Sequence, residues 1–221
     1  MFSTGLTPLT RHLRTDPTAP DPAAPQRLGI FGGSFDPPHL AHVALARCAV
    51  QQLALDKLLI IPTGQAWHKD RPLTAAHHRV ALCELAFGGL PHTQLDTREI
   101  RRHGPTYTAD TLNELLQTES PCELFLVIGG DQARALTTWH QWAQILKNAT
   151  ICIADRAIAK TTDAKFDWQS LPEARTEWLS LPLIPISATD IRQRVSRSDA
   201  VETLVGDAVA RYIAEHHLYT D

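Results

Sequence analysis

The segment LGIFGGSFDPPHLAH, residues 28–42, decides the fold of this chain of 221 residues. It begins with a short apolar run, which predicts a buried strand. It then passes through a Gly/Pro loop into residues 39–55, whose apolar side chains recur at helical spacing. Gly32 and Gly33 let the backbone turn tightly and approach a ligand, and Pro38 suits the first position of a helix. The segment therefore predicts a strand, a ligand-binding loop and a helix.

Apolar runs alternate with helical patterns along the rest of the chain. Further strands are predicted at 58–61, 124–128, 150–154 and 181–186, and further helices at 75–87, 109–117, 188–196 and 207–217. Because continuous apolar strands separated by helices must be covered on both faces, the pattern predicts an α/β fold with a parallel sheet. Ligands of such sheets bind beyond the carboxyl ends of the strands, here after Phe31, Ile61 and Ile128.

The composition excludes several classes of protein. A net charge of −3 and 6% aromatic residues give no basic surface for nucleic acid. No apolar run approaches the roughly 20 residues of a membrane helix, so we expect a soluble protein without a membrane partner. The four cysteines are scattered without a CxxC pair, which favours reduced thiols in a cytoplasmic core over disulfides or a zinc site.

Residues 1–26 differ in composition from residues 27–221, which we interpret as one domain. Five of the fifteen prolines lie in this first segment among Thr, Ala and Asp. Such a segment cannot bury enough apolar surface to offset its chain entropy. Its arginines faintly resemble a transit peptide, but it has neither a clear amphipathic helix nor the apolar core of a secretory signal. We therefore predict a flexible N-terminal tail.

The loop and helix of the quoted segment predict an anion site. His39 and His42 are three residues apart, so both imidazoles can lie on one face of the first helical turn, beside free backbone N–H groups. Imidazoles there can donate hydrogen bonds or carry charge near neutral pH. The candidate phosphate-binding residues are Gly32, Gly33, Ser34, Phe35, His39 and His42. The alternatives are an ordinary turn before a capped helix and a zinc pair, although helical zinc pairs favour a spacing of four.

A second candidate phosphate site is the string ISATDIR, residues 186–192. Ser187 and Asp190 are spaced as a capping box, which predicts another helix N-terminus here. A forked guanidinium suits phosphate oxygens. The candidate residues are Ile186, Ser187, Thr189 and Arg192. The alternative is an ordinary capped helix with a solvated arginine. A further capping box is predicted from Thr111 and Glu114.

Three other strings and Trp139 supply candidate binding residues. In REIRRHGPTYTADTL, residues 98–112, Tyr107 and Thr108 lie where a loop enters a helix and can present N–H and hydroxyl donors to a small carboxylate. In the string Ile128-Gly129-Gly130-Asp131, the Asp131 carboxylate follows a strand, as in sites that bind ribose hydroxyls. Trp139 offers a flat face for an aromatic ring, or simply packs. His68 and Lys69 can close over phosphates, or belong to a solvated loop.

Taken together, these strings resemble the nucleotidyltransferase superfamily. Residues 32–42 resemble its HxGH signature and residues 186–192 its ISSTxxR signature. The string Trp67-His68-Lys69, residues 98–112, Ile128–Asp131 and Trp139 make the chain most similar to nicotinate-nucleotide adenylyltransferases, over about residues 27 to 219. Two positions depart from the signatures. Ala41 replaces a glycine, which narrows the space beside the helix backbone, and Ala188 replaces a serine, which removes a hydroxyl.

The resemblance implies a doubly wound, Rossmann-like domain that transfers the adenylyl group of ATP to nicotinate mononucleotide. The products are nicotinate adenine dinucleotide and pyrophosphate, in cytoplasmic NAD biosynthesis. It implies catalytic roles for His42, His39, Arg192 and Lys69, and Mg²⁺ bound mainly through the ATP phosphates. Substrate-binding roles fall to Tyr107, Thr108, Gly129, Asp131 and Trp139. The resemblance leaves open whether the chain forms a homo-oligomer. The alternatives are a relative acting on another phosphate, such as phosphopantetheine, and a nucleotide sensor without catalysis.

Overall fold

The computed structural model describes residues 25–64, 72–119, 121–156, 174–182 and 184–220. The strands in this part of the chain are β1 (Gln26–Gly33), β2 (Lys57–Pro62), β3 (Thr93–Leu95), β4 (Cys122–Gly129), β5 (Ala149–Arg156) and β6 (Thr176–Leu181). The helices are α1 (Leu40–Gln52), α2 (Ala76–Phe87), α3 (Arg98–Arg101), α4 (Thr108–Thr118), α5 (Gly130–Ala135), α6 (Trp142–Asn148), α7 (Ala188–Ser196), α8 (Glu202–Val205) and α9 (Asp207–Glu215). A short 3-10 turn follows α5 at Leu136–Thr138.

The strands form a single parallel sheet in the order β3-β2-β1-β4-β5-β6. Leu28 of β1 pairs with Lys57 of β2 on one side and with Leu124 of β4 on the other. The strand order reverses between β1 and β4, and such a reversal opens a crevice at the carboxyl ends of the two strands. The predicted parallel sheet is confirmed, and its crevice lies where the glycine loop leaves β1.

Apolar side chains cover both faces of the sheet. Along β1, Leu28 and Ile30 pack in one core with residues of α4, including Leu112. Phe31 points to the opposite core, where it packs with residues of α1, including Leu45. Each buried Leu, Ile or Phe contributes roughly 1.5–3 kcal/mol through removal from water. Helices on both faces make the fold doubly wound, as predicted.

A third apolar cluster joins α2, α7, α8 and α9 beside the sheet. It contains Leu82 of α2, Ile191 of α7, and Val209 and Ile213 of α9. Leu218, in the turn after α9, also belongs to it and is 9% exposed. The cluster thereby fixes the segment after α9 close to the helices that surround the crevice.

Three local predictions are wrong. The strand predicted at 181–186 lies earlier, at Thr176–Leu181, because Pro182 has no N–H to continue the ladder. Pro38 does not begin α1, whose N-cap is His39. Thr111 and Glu114 do not form a capping box, because α4 already begins at Thr108.

Two further expectations are cysteines in the core and no membrane-spanning helix. Cys48, Cys83 and Cys152 are buried, as predicted, whereas Cys122 is half-buried. Burial raises the pKa of the Cys152 thiol to about 12. Among the described helices, none combines the length and the apolar character needed to cross a bilayer.

Candidate active site

The loop after β1 is supported from beneath by an aromatic side chain. Phe35 is 2% exposed, and its ring meets the rings of Phe31 and His42 edge-on, with centroids 5.4 and 5.2 Å away. A Cβ atom at Gly33 would lie 3.1 Å from the Phe35 ring, so a larger residue there would press on the ring, whereas glycine leaves it in place. Phe35 itself has a φ of +45°, a conformation that bulky residues rarely adopt outside functional loops.

The two histidines of the first signature meet at the start of α1. His39 is the N-cap and His42 lies at the third helical position. The His39 backbone N–H donates to Nδ1 of His42 at 3.3 Å, and the His42 backbone N–H donates to the His39 carbonyl at 2.8 Å. Their rings stack with centroids 3.7 Å apart. The prediction that both imidazoles share one side of the first turn is confirmed.

His42 is uncharged in this setting. Burial lowers the pKa of His42 well below its ordinary 6.5, and the neighbouring His39 lowers it further. Nδ1 accepts a backbone hydrogen bond, so the single proton of the neutral ring lies on Nε2. Of the two roles predicted for it, hydrogen-bond donor or charged group, a neutral His42 suits the first: it can offer a hydrogen bond to an anion at neutral pH.

The second signature begins α7, as predicted. Ser187 is the N-cap, and its Oγ accepts the backbone N–H of Asp190 at 3.1 Å. The reciprocal half of the predicted capping box is absent, because the Asp190 carboxylate instead accepts from Nε of Arg194 at 3.1 Å. A second helix N-terminus with a serine cap is thus present, and an N-terminus of this kind attracts anions.

Arg192 joins the second signature to the first. Its Nη1 donates to the carbonyl oxygen of Asp36 at 2.8 Å, and its Nη2 donates to the Thr189 hydroxyl at 3.0 Å. Asp36 is 156 positions away in the chain and belongs to the loop after β1. The fold therefore brings Arg192 to the loop, although the grip on phosphate that its sequence predicts stays a prediction.

The two helix N-termini border one cavity of about 310 Å³ at the carboxyl ends of the strands. Seven of the predicted site residues line it: Ser34, Phe35, His39, His42, Gly129, Ile186 and Ser187. Ala41 and Ala188, the two positions that depart from the signatures, line it as well. This open cavity supports the prediction that chemistry lies beyond the strand ends.

The predicted carboxylate-binding residues lie in a second region. Tyr107 is the N-cap of α4 and Thr108 is its first residue, so the first N–H groups of that helix begin here. The Tyr107 ring lies 4.3 Å from the ring of His140, which follows the half-buried Trp139. None of these four residues is among the described residues that line the 310 Å³ cavity. His140 escaped the sequence analysis because a lone histidine in a loop has no pattern.

Asp131 and Gly32, two further predicted residues, are not among the described residues that line the cavity. Asp131 lies in the first turn of α5, where its exposed carboxylate pairs with Arg134. Gly32 lies near the end of β1, in register with Ile61 of β2. Lys69 and His68 lie outside the described residues. Within the described ranges, no three His, Cys, Asp or Glu side chains are arranged to hold a metal ion.

Sequence analysis missed two buried charged residues beneath the loop. Asp36 is 1% exposed and Arg79 is 2% exposed. Nη1 of Arg79 donates to the Ser34 carbonyl and its Nε donates to the Thr74 carbonyl, each at 3.0 Å. Asp36 lies within the first signature, so its position in the sequence is a signal that could have identified it. Arg79 lies in the helix predicted at 75–87, where a single arginine normally faces solvent.

Known proteins resemble this chain in sequence and in structure. The cytidylyltransferase-like family model matches residues 30–194. A relative from Albidiferax ferrireducens, named "Probable nicotinate-nucleotide adenylyltransferase", is 50% identical over 88% of this chain and 98% of its own length. A relative of the same name from Methylibium petroleiphilum is 42% identical over 89% of this chain and 94% of its own length.

Solved structures share the fold. A Plasmodium falciparum nicotinic acid mononucleotide adenylyltransferase complexed with NaAD superposes with a TM-score of 0.72 at 17% identity, over 88% of this chain and 97% of that one. A structure described as a putative nicotinate-nucleotide adenylyltransferase from Vibrio parahaemolyticus superposes with a TM-score of 0.64 at 18% identity. The match covers 89% of this chain and 96% of that one. With two signatures at one cavity and a relative 50% identical along nearly its whole length, this chain belongs to the nicotinate-nucleotide adenylyltransferase family of nucleotidyltransferases.

Proposed function

We propose that the protein transfers the adenylyl group of ATP to nicotinate mononucleotide, forming nicotinate adenine dinucleotide and pyrophosphate. The observation that carries the proposal is the meeting of two helix N-termini, those of α1 and α7, at one cavity that His39, His42 and Ser187 line. The names of the relatives that share nearly the whole chain support the same reaction. We place the reaction in the cytoplasm, as part of NAD biosynthesis.

The cavity suits a polyphosphate. The helices α1 and α7 have 13 and 9 residues, long enough to give their N-termini the partial positive charge that favours anions. Neutral His42 adds an Nε2–H donor, which can bind a phosphate oxygen without a change of charge. Arg192 adds a permanent positive charge beside the loop. Both residues stabilise the negative charge that grows on the leaving pyrophosphate.

The reaction needs no general base on the protein. One oxygen of the nicotinate mononucleotide phosphate attacks the α-phosphorus of ATP, the new P–O bond forms, and the bond to the bridging oxygen of pyrophosphate breaks. The attacking monoester is largely doubly ionised near pH 7, because its second pKa is about 6. The protein therefore aligns two anions and screens their repulsion.

Magnesium fits this site as part of the ATP substrate. Both carboxylate oxygens of Asp36 accept hydrogen bonds from the protein, which makes Asp36 a poor ligand for a resident ion. Mg²⁺ would bind through the phosphate oxygens of ATP and water, and it would neutralise part of their negative charge. We propose that Lys69 adds a further positive charge over the same phosphates.

The nicotinate ring and its carboxylate fit the region around α4. The N–H groups of the first turn, together with the Thr108 hydroxyl, can bind a carboxylate, and Trp139 can stack on the pyridine ring. Tyr107, whose ring contacts His140, closes one side of this subsite. We assign Gly129 and Asp131, at the carboxyl end of β4, to the ribose and phosphate between the two subsites.

An assay of pyrophosphate release with ATP and nicotinate mononucleotide tests the proposal, with the dinucleotide product identified by mass spectrometry. Replacing ATP by CTP, and nicotinate mononucleotide by phosphopantetheine, separates the proposed reaction from those of related transferases. A nucleotide sensor would bind ATP without releasing pyrophosphate. Turnover of phosphopantetheine but not of nicotinate mononucleotide, or no turnover at all, would contradict the proposal.

A further inference from the structure

Three distant segments of the chain converge on the buried Asp36. Its Oδ1 accepts the Tyr219 hydroxyl at 2.7 Å, and its Oδ2 accepts the backbone N–H of Thr74 at 3.3 Å. Its carbonyl oxygen accepts Nη1 of Arg192 at 2.8 Å. Asp36 also lines the cavity between the two signatures. One loop residue therefore connects the cavity to α7 and to the segments before α2 and after α9.

Arg79 supplies a positive charge that stabilises the buried Asp36 carboxylate. Burial lowers the pKa of Arg79, while the neighbouring Asp36 carboxylate acts in the opposite direction. The guanidinium also holds the carbonyls of Ser34 and Thr74. A buried carboxylate near an arginine and with hydrogen bonds on both oxygens is stable, whereas removal of one partner is costly.

The turn that carries Tyr219, whose hydroxyl donates to Asp36, contains two residues in an uncommon backbone conformation. Tyr219 has a φ of +64° and His217 a φ of +50°, both in the left-handed region that side chains other than glycine rarely occupy. Such residues persist where the surrounding contacts hold them. Buried Leu218 anchors the turn in the cluster of α2, α7, α8 and α9.

The Tyr219 phenol stays protonated and donates. Burial raises the pKa of Tyr219 above its usual range, and the Asp36 carboxylate raises it further because a phenolate would repel it. The hydrogen bond thus has a charged acceptor, and such bonds are stronger than those between neutral groups. It fixes the Asp36 side chain, while the Asp36 carbonyl fixes the guanidinium of Arg192.

We propose that Tyr219 is a positioning residue for adenylyl transfer, which holds Asp36 so that Arg192 and the loop after β1 keep the geometry the phosphates require. This inference rests on the proposed function. Tyr219 acts through Asp36 and Arg192, and it is not itself assigned a contact with substrate. Loss of its hydroxyl should therefore affect the phosphate end of the site more than the nicotinate end.

Tyr219→Phe tests the inference, and Tyr212→Phe is a matched control. Tyr212 lies on α9 only seven positions earlier, and its hydroxyl hydrogen-bonds Nδ1 of His78 at 3.0 Å. We expect Tyr219→Phe to lower kcat about tenfold and to weaken ATP binding severalfold, the range for a lost hydrogen bond to a charged group. The KM for nicotinate mononucleotide should change by less than about twofold, and Tyr212→Phe should leave all three values within about twofold.

A double variant separates positioning from simple stabilisation. If Tyr219 acts through Arg192, adding Tyr219→Phe to Arg192→Lys should lower kcat by about twofold or less, because the coupled losses are not additive. A tenfold loss that persists in the Arg192→Lys background overturns the inference. So does a Tyr219→Phe variant that matches Tyr212→Phe in kcat and ATP affinity, whatever its melting temperature.

ATP binding measured by calorimetry keeps the two proposals distinguishable. If the wild-type protein binds ATP but does not transfer its adenylyl group to nicotinate mononucleotide, the proposed function fails. The comparison of ATP affinity between Tyr219→Phe and Tyr212→Phe then still decides whether Tyr219 positions the phosphate site.

Discussion

The backbone N–H of His39 donates to Nδ1 of His42, and the two imidazoles stack with centroids 3.7 Å apart. This contact sets the tautomer of His42, because a proton on Nδ1 would point at the His39 N–H and place two donors face to face. The His42 ring is therefore a neutral donor through Nε2, held in orientation by the helix that it helps to begin. The charge at the site comes from Arg192 and from the helix N-termini.

Removal of the His42 ring should impair catalysis more than binding. We expect His42→Ala to lower kcat about 10²-fold, the effect of losing one preorganised donor. ATP affinity should fall less, because the N-terminus of α1 remains. His42→Gln, which keeps a polar group near the position of Nε2, should recover part of the rate. His77→Ala, on the exposed surface of α2, is the control. Near-normal turnover of His42→Ala would remove His42 from the chemistry.

The lowered pKa of His42 also makes stability depend on pH. The unfolded chain binds a proton at His42 near pH 6.5, whereas the folded protein does so only at lower pH. Neutral His42 therefore makes its full contribution to the free energy of unfolding above pH 6.5. That contribution is lost as the pH falls from 6.5 to the pKa of His42 in the folded protein. For one titrating group, the free energy of unfolding can change by at most about 1.4 kcal/mol per pH unit.

Urea unfolding of wild type and His42→Gln at pH about 7.5 and about 5.5 measures this effect. The wild-type free energy of unfolding should fall towards low pH more steeply than that of the variant, because glutamine does not titrate. Parallel pH profiles for the two proteins would show that His42 does not titrate differently on folding.

The sheet could be predicted from the sequence because its strands are continuous apolar runs. Strands β1, β2, β4 and β5 are buried on both faces, so each appears as such a run. The three-residue β3 and the four-residue α3 could not be predicted, because elements this short show no periodicity. Pro182 and Pro185 were the signals against the strand predicted at 181–186, because proline cannot donate a hydrogen bond to a strand ladder.

The site was predicted where its residues are close in sequence and missed where they are distant. His39 and His42 share one turn, and Ser187 caps a helix three residues before Asp190, so spacing alone could identify both pairs. Asp36 and Tyr219 are separated by 183 positions and meet only because α9 packs on α2. A tyrosine after an amphipathic helix carries no local signal for such a contact.

Arg79 should contribute to stability through the carbonyls it holds. We expect Arg79→Met, which keeps an apolar stem, to lower the free energy of unfolding by about 2–4 kcal/mol. The reason is that the buried carbonyls of Ser34 and Thr74 lose their donor and Asp36 loses a neighbouring positive charge. Arg211→Met, at an exposed position of α9, is the matched control for urea unfolding. Equal losses in the two variants would contradict the role of Arg79.

The start of α4 should distinguish nicotinate mononucleotide from nicotinamide mononucleotide, which carries a neutral amide in place of the carboxylate. The first turn of α4, beginning at Thr108 after the N-cap Tyr107, offers backbone N–H donors and a hydroxyl. A carboxylate accepts from all of them, whereas an amide turns its own NH₂ towards at least one donor. An unpaired buried polar group costs roughly 1–3 kcal/mol, and hydrogen bonds to a charged acceptor are stronger than neutral ones.

Two such contacts should give a preference for the acid of about 10²-fold or more in kcat/KM. Thr108→Val should narrow that preference, chiefly by weakening the acid substrate, since it deletes a donor with little change in shape. Thr118→Val is the matched control, because Thr118 lies at the far end of α4 and its hydroxyl donates to the Glu114 carbonyl at 3.1 Å. Comparable kcat/KM for both nucleotides in the wild-type protein would refute this role for the start of α4. It would leave the proposed adenylyl transfer standing, because we propose the phosphate site at α1 and α7.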